Sequence, residues 1–149
     1  MGDVVSQQIE INAPIARVWE IVMDLNRLGD WVSIHEEVLD IPDAPLEQGS
    51  RFGQRMKLKG MPLKVRWQIA EWNPPNTALW LGEAAAGAKA RISYDLSEGE
   101  GVTIFNYENE FELPAGRVGK LAGRAFNAMS GDREAQRSLA RLKELVENV

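Results

Sequence analysis

The segment RFGQRMKLKGMPLKVRWQIAEW, residues 51–72, constrains this chain more than any other. On either side of Gly60-Met61-Pro62 the residues alternate strictly in character. Before the turn, Phe52, Gln54, Met56 and Leu58 share one face, opposite Arg51, Arg55, Lys57 and Lys59. After it, Leu63, Val65, Trp67, Ile69 and Glu71 share one face. A period of two with an apolar side and a charged side defines a half-buried strand. Two such strands around a turn form an antiparallel hairpin, and its apolar face must be covered by another layer.

The flanking sequence supplies that layer. VVSQQIEI reads as a first strand. In NAPIARVWEIVMDL, Ile15, Val18, Trp19 and Val22 fall at helical spacing. Pro14 suits the first helical position, with Asn12 or Ala13 as the cap, of which only Asn12 has a capping side chain. NRLGDWVSI predicts a second short helix broken at Gly29, and a short strand follows over Glu36–Ile41. TALWLG, KARISYDL and VTIFNYENEFEL are further strands. The loose connection EAAAGA and the turn SEGEG separate them, and Pro114 ends the last. From about Val118 the pattern is helical: Leu121, Ala125, Leu139, Leu142 and Val146 form an apolar stripe, and four glycines dilute its first half. The expected fold is α+β: a curved antiparallel sheet of about seven strands around a long C-terminal helix, with two short helices after the first strand. The expected organisation is one domain over 1–149.

Composition removes several chemistries. There is no cysteine and a single histidine, His35, so thiolate zinc, iron–sulfur and histidine-cluster metal sites are not expected. No P-loop, dinucleotide fingerprint or nucleophile elbow is present, and no cofactor is expected. The net charge of −5 argues against nucleic acid as a partner. No apolar run approaches the roughly 20 residues of a membrane span. The start MGDVVSQQIEI lacks the features of a signal peptide, so a cytoplasmic location is expected.

The motifs IEINAPIARVWEIVMDLNRLGDWVSIHEEV, QIAEWNPPNTALWLG, VTIFNYENEFELPAG and LARLKELVENV occur in this order across nearly the whole chain. Together they resemble the SRPBCC superfamily, which includes START domains, birch-pollen-allergen-like proteins, coenzyme Q-binding proteins and polyketide cyclases. The resemblance implies the helix-grip fold and an internal cavity for a hydrophobic ligand. The ligand-binding candidates are His35, Gln54, Met56, Trp67, Ile69, Trp80, Phe105, Tyr107, Asn109 and Met129. By alignment His35 takes the place of a pocket tyrosine. The plant hormone receptors of the superfamily close a Gly-Leu-Pro turn over their ligand. Gly60, Met61 and Pro62 occupy the equivalent turn, with Glu83–Gly87 as the facing loop.

The functional reading is binding, carriage or sequestration of a small hydrophobic molecule such as a lipid, isoprenoid or polyketide. One alternative is a polyketide cyclase or dehydrase using His35, Glu71 or Tyr107 as acid or base. The superfamily's cyclases carry a pocket arginine on the strand where this chain has Ile69 and Glu71, which speaks against that chemistry. Another alternative is a module acting through its surface. Arg51, Arg55, Lys57 and Lys59 on the outer hairpin face suit an acidic protein or an anionic membrane surface. Gln54, Glu71 and Asn109 fall on faces that otherwise look inward, so each needs a partner in one another, water or a ligand; Glu71, at a strand end, is expected to be solvated at the rim.

Overall fold

The structure, a computed structural model, describes residues 3–58, 61–112 and 133–148. Strands β1 (Asp3–Ile11), β2 (His35–Leu39), β3 (Arg51–Leu58), β4 (Met61–Asn73), β5 (Thr77–Ala84), β6 (Lys89–Gly99) and β7 (Val102–Glu112) form one sheet. Its order is β1-β7-β6-β5-β4-β3-β2, with every neighbouring pair antiparallel. Helices α1 (Ile15–Val22) and α2 (Leu28–Trp31), with the 3-10 turn Leu25–Arg27 between them, carry the chain from one sheet edge to the other. Helix α3 covers residues 133–147. This is the expected helix-grip arrangement.

The alternation read from the hairpin sorts its two faces. Phe52, Gln54, Met56, Val65, Trp67 and Ile69 are buried, while Arg51, Arg55, Lys57, Lys64 and Arg66 are exposed. The buried face continues through Trp80, Tyr94, Phe105 and Tyr107 into α2 at Trp31. Their rings touch in sequence: Trp67–Trp80 at 5.9 Å, Trp80–Tyr94 at 5.0 Å, Tyr94–Tyr107 at 5.6 Å and Trp31–Tyr107 at 6.0 Å. Tilted and edge-on rings at such spacings are favourable beyond their buried area. Ala135, Ser138, Leu139, Leu142 and Val146 form the buried stripe of α3, at the i, i+3, i+4 spacing of one helix face.

Gly82 shows how tightly β5 meets β4. A Cβ there would lie 2.5 Å from Val65 Cγ1 and 2.7 Å from Trp67 Cε3. Gly82 pairs with Trp67 in the register, so the missing side chain is the space the indole fills.

Several local expectations change. Pro14 is the cap of α1 and makes no side-chain cap bond. The Asn12 backbone N–H instead donates to Glu147 at 2.8 Å, and the Ile15 N–H donates to Glu98 at 3.2 Å. An acceptor 83 residues along the chain thus meets an otherwise orphaned helix donor. Gly29 lies inside α2 without breaking it. The strand expected at Glu36–Ile41 runs from His35 to Leu39, and Asp40 turns away with φ 54°. The turn SEGEG narrows to Glu100 and Gly101, both at positive φ (56° and 80°), matching the twist of the flanking strands. The connection EAAAGA is closed by backbone bonds, Ala84 N–H to Ala88 O at 2.8 Å and Ala88 N–H to Ala85 O at 3.3 Å. A bulge between Ile69 and Glu71 reverses the alternation of β4. Glu71 is therefore solvated through the bulge and not through a place at the inner rim, and Trp72 packs on Trp19 at 5.1 Å.

Candidate functional site: an internal cavity with one oriented amide

A cavity of about 110 Å³ lies between the sheet's inner face, the segment after α2 and residues 134–138 of α3. Its apolar wall includes Val32, Ile34, Met56, Trp67, Trp80, Ile92 and Ala135. The polar groups on it are Gln54, Tyr94, Tyr107, Asn109 and Ser138, and the charged residues are Arg91, Glu110 and Glu134. Of these, Gln54 is the most informative, being only 3% exposed yet polar at both ends of its amide.

The bonds of Gln54 have one consistent assignment. Trp67 Nε1 donates to Gln54 Oε1 at 2.9 Å. An indole N–H can only donate, so the amide oxygen must face it. The amide nitrogen then faces His35 Nδ1, also at 2.9 Å. An amide N–H donates, so Nδ1 accepts, and the ring's own proton sits on Nε2. Trp67 thereby fixes the orientation of Gln54, and Gln54 fixes the tautomer of His35. Burial holds the imidazole's pKa below its ordinary value, the direction this neutral, accepting ring requires. Neighbouring carboxylates do not raise it. Glu36 and Glu37 turn to Arg55, at 3.6 Å and 2.6 Å. The ring packs against α2 where the absent Cβ of Gly29 would lie 3.4 Å from its Cδ2.

Burial also raises the pKa of both inner phenols. For Tyr94 the charge of Tyr107 adds to burial; for Tyr107 a hydrogen bond with Asn109 acts in the opposite direction. Both therefore stay neutral hydroxyls near neutral pH. A second polar group ties the cavity wall together. Ser33 Oγ donates to the Glu134 carboxylate, and the Ser33 N–H donates to Ser138 Oγ at 3.0 Å. These bonds fasten the segment after α2 to α3.

Among the residues expected at the site, Gln54, Met56, Trp67, Trp80, Tyr107 and Asn109 lie on the cavity wall. His35 is not on that wall; it reaches the site through Gln54. Ile69 and Phe105 are fully buried in the packed core and do not line the cavity. Their alternation gave the correct side of the sheet, but side does not determine depth. Glu71 is solvated on the other side of the bulge. Met129 and Gly60 lie outside the described residues, as does Lys59. Met61 opens β4, Pro62 is exposed, and Gly87 is exposed at φ 82°. Met61 and Pro62, expected in a turn, are strand residues paired with Leu58 and Lys57, and Leu63 and Ala90 nearby line the cavity.

Tyr94 and Ile92 were missed, although β6 alternates as clearly as β4 and would have named them. Ser33, Glu134 and Ser138 carried no local signal, since 101 and 105 residues separate the partners. Among the described residues, no group of three or more metal-ligating side chains comes together. No described helix is long and apolar enough to cross a membrane.

Fold and cavity together define a helix-grip protein. The chain matches the polyketide cyclase / dehydrase and lipid transport family over residues 3–147, and it belongs to that family. It is 25% identical over 125 residues to Toxin Rv0910 of Mycobacterium tuberculosis, covering 83% of this chain and 87% of that protein. It is 28% identical over 145 residues to the uncharacterized protein Rv1546 of the same organism, covering 94% and 97%. Among solved structures, the Zhui aromatase/cyclase of a Streptomyces species superposes with a TM-score of 0.82 at 15% identity, covering 99% of this chain and 95% of that one. Protein Ms6760 of Mycobacterium smegmatis superposes at 0.70 with 20% identity, covering 96% and 90%. These structural likenesses concern the fold.

Proposed function

We propose that the protein binds a small hydrophobic molecule in the cavity and carries or sequesters it. The observation that carries this reading is a largely apolar space with one buried amide held in a single orientation. Ligand sites are built this way, from apolar walls with a few fixed polar groups. The space, about 110 Å³, is well below the roughly 300–1,000 Å³ of pockets for larger ligands. A lipid, isoprenoid or multi-ring polyketide would need more space than this cavity holds.

The enzymatic alternative needs an acid and a base converging on the ligand. The three candidates do not converge. Glu71 is exposed beyond the bulge, Tyr107 is a neutral phenol bonded to Asn109, and the accepting nitrogen of His35 is taken by Gln54. A second reading rests on the outer hairpin face, where Arg51, Lys57, Lys64 and Arg66 are exposed together. It is docking to an acidic protein or an anionic membrane surface, alongside ligand binding.

Native mass spectrometry of the protein isolated from its producing cells tests the cavity reading. The expected result is an apolar adduct that Ala90→Trp, which fills the wall, does not retain. Equal adducts on both proteins would contradict it.

A further inference from the structure

Gln54 has more hydrogen-bonding capacity than the protein uses among the described residues. A primary amide has two acceptor sites on oxygen and two N–H donors. Trp67 takes one acceptor site and His35 one donor. One lone pair and one N–H remain on a side chain that is 3% exposed and lines the cavity. Each amide atom already has one partner, so these sites are spare capacity that a ligand can use; Trp80, also on the wall, holds a buried Nε1–H with no partner among the described residues. A hydroxyl both donates and accepts, so it can satisfy either amide site.

The rest of the wall restricts the ligand further. A volume of about 110 Å³ is in the size class of an engineered cavity of roughly 150 Å³ that admits benzene. Trp67 and Trp80 offer ring contacts. Burial disfavours an anionic ligand, and the charged wall residues are two carboxylates, Glu110 and Glu134, against one guanidinium, Arg91.

We infer that the resting cavity selects a neutral, hydroxyl-bearing molecule or moiety about one aromatic ring in size, with its hydroxyl held by Gln54 and Gln54 oriented by Trp67 and His35. This rests on the ligand-binding reading and adds to it the class of ligand. His35 is a positioning residue. If Nδ1 gains a proton, it faces the amide N–H donor to donor. Turning the amide over to relieve this would set its NH₂ against the Trp67 N–H. Either way one bond of the chain is lost. The charged groups on the strands and helix next to His35 are Asp30 on α2, Glu36 and Glu37 on β2, and Arg51, Arg55 and Lys57 on β3, with Glu134 and Arg137 among those on α3. Asp30 pairs with Arg27, Glu36 and Glu37 pair with Arg55, and Glu134 pairs with Arg137.

Calorimetric titration with phenol, toluene and benzoate tests the inference on wild type, Gln54→Leu and His35→Asn. Toluene leaves water more readily than phenol, so a wall without the amide would favour toluene. The wild type is expected to bind phenol at least as tightly as toluene, and benzoate at least tenfold more weakly. Gln54→Leu is expected to weaken phenol about tenfold, the scale of one hydrogen bond, without weakening toluene. In wild type the preference for phenol over toluene should fall as pH drops below 6.5 toward the lowered pKa of His35. In His35→Asn an amide oxygen replaces Nδ1, and the preference should persist without that pH dependence. These two profiles decide the matter if Gln54→Leu does not fold. A fixed toluene preference in every variant, or no pH dependence in wild type, overturns the inference and leaves the cavity reading standing. Failure of all three probes to bind wild type overturns both.

Discussion

The β3–β4 hairpin carries polar side chains on both faces, and they do different work. On the inner face, buried Trp67 and Gln54 form a chain with half-buried His35 of the neighbouring β2, with both bonds at 2.9 Å. On the outer face, Arg55 meets Glu36 and Glu37 at 3.6 and 2.6 Å, with all three side chains well exposed. Exposed ion pairs contribute about 0–1 kcal/mol and weaken with salt. A buried donor or acceptor that loses its partner costs about 1–3 kcal/mol. The shorter outer contact is therefore not the stronger determinant of structure. Burial makes the inner chain specific, and it sits where a ligand would touch it.

The comparison can be strained from the inside first. Gly82→Val places a branched side chain against Val65 and Trp67. Overpacking of this kind costs about 1–3 kcal/mol or more. In a chain of this length that lowers Tm by several degrees, to be read by calorimetry or circular dichroism. Trp67→Phe keeps a ring but removes the donor to Gln54 Oε1. Denaturant unfolding should show a loss of about 1–3 kcal/mol, including the ring-size change. Gln54→Leu in the same background should then cost less than it does alone, since the two residues share a bond.

Ser138→Ala removes the acceptor for the Ser33 N–H and should cost about 1 kcal/mol. Hydrogen exchange should show faster exchange at Ser33. On the outer face, Arg55→Ala should change stability by less than about 1 kcal/mol, with an effect that disappears in high salt. If Arg55→Ala costs more than Trp67→Phe, the contrast between the two faces is wrong.

His35 adds a pH test of the same contrast. Its folded pKa lies below the unfolded value of 6.5, so between the two the unfolded chain holds more protons. The stability this contributes is fully present above 6.5 and is lost as pH falls through the folded pKa. Subtracting the profile of His35→Asn from that of wild type should leave a difference confined to that window. A difference growing toward alkaline pH would contradict the assigned tautomer.

Much of the fold was legible because alternation and helical spacing are local. Residues 51–58 disclosed a two-faced strand, and Gln54 stood out as a polar residue on the apolar side. Two physical facts limited the reading. A single extra residue near Ala70 reverses a strand's faces, and nothing in QIAEW marks it, so alternation aligns Glu71 with the inward face while only its place near the strand end points to solvent. Alternation also separates inside from outside without measuring depth, which is why Ile69 and Phe105 were counted with the cavity wall. The Ser33–Glu134–Ser138 contacts depend on the closure of the whole fold. His35 lay near the site as read, but only the donor-only indole of Trp67 reveals its role, two bonds away.

The most direct measurement is the ¹H–¹⁵N spectrum of the tryptophan indoles during titration with phenol. Trp67 is predicted to show a saturable shift of its Nε1–H signal, with Trp80 following, while the backbone signals of Arg51, Lys57 and Arg66 stay in place. Movement of those outer signals with a stationary Trp67 would place the ligand on the surface and contradict an internal site organised around Gln54.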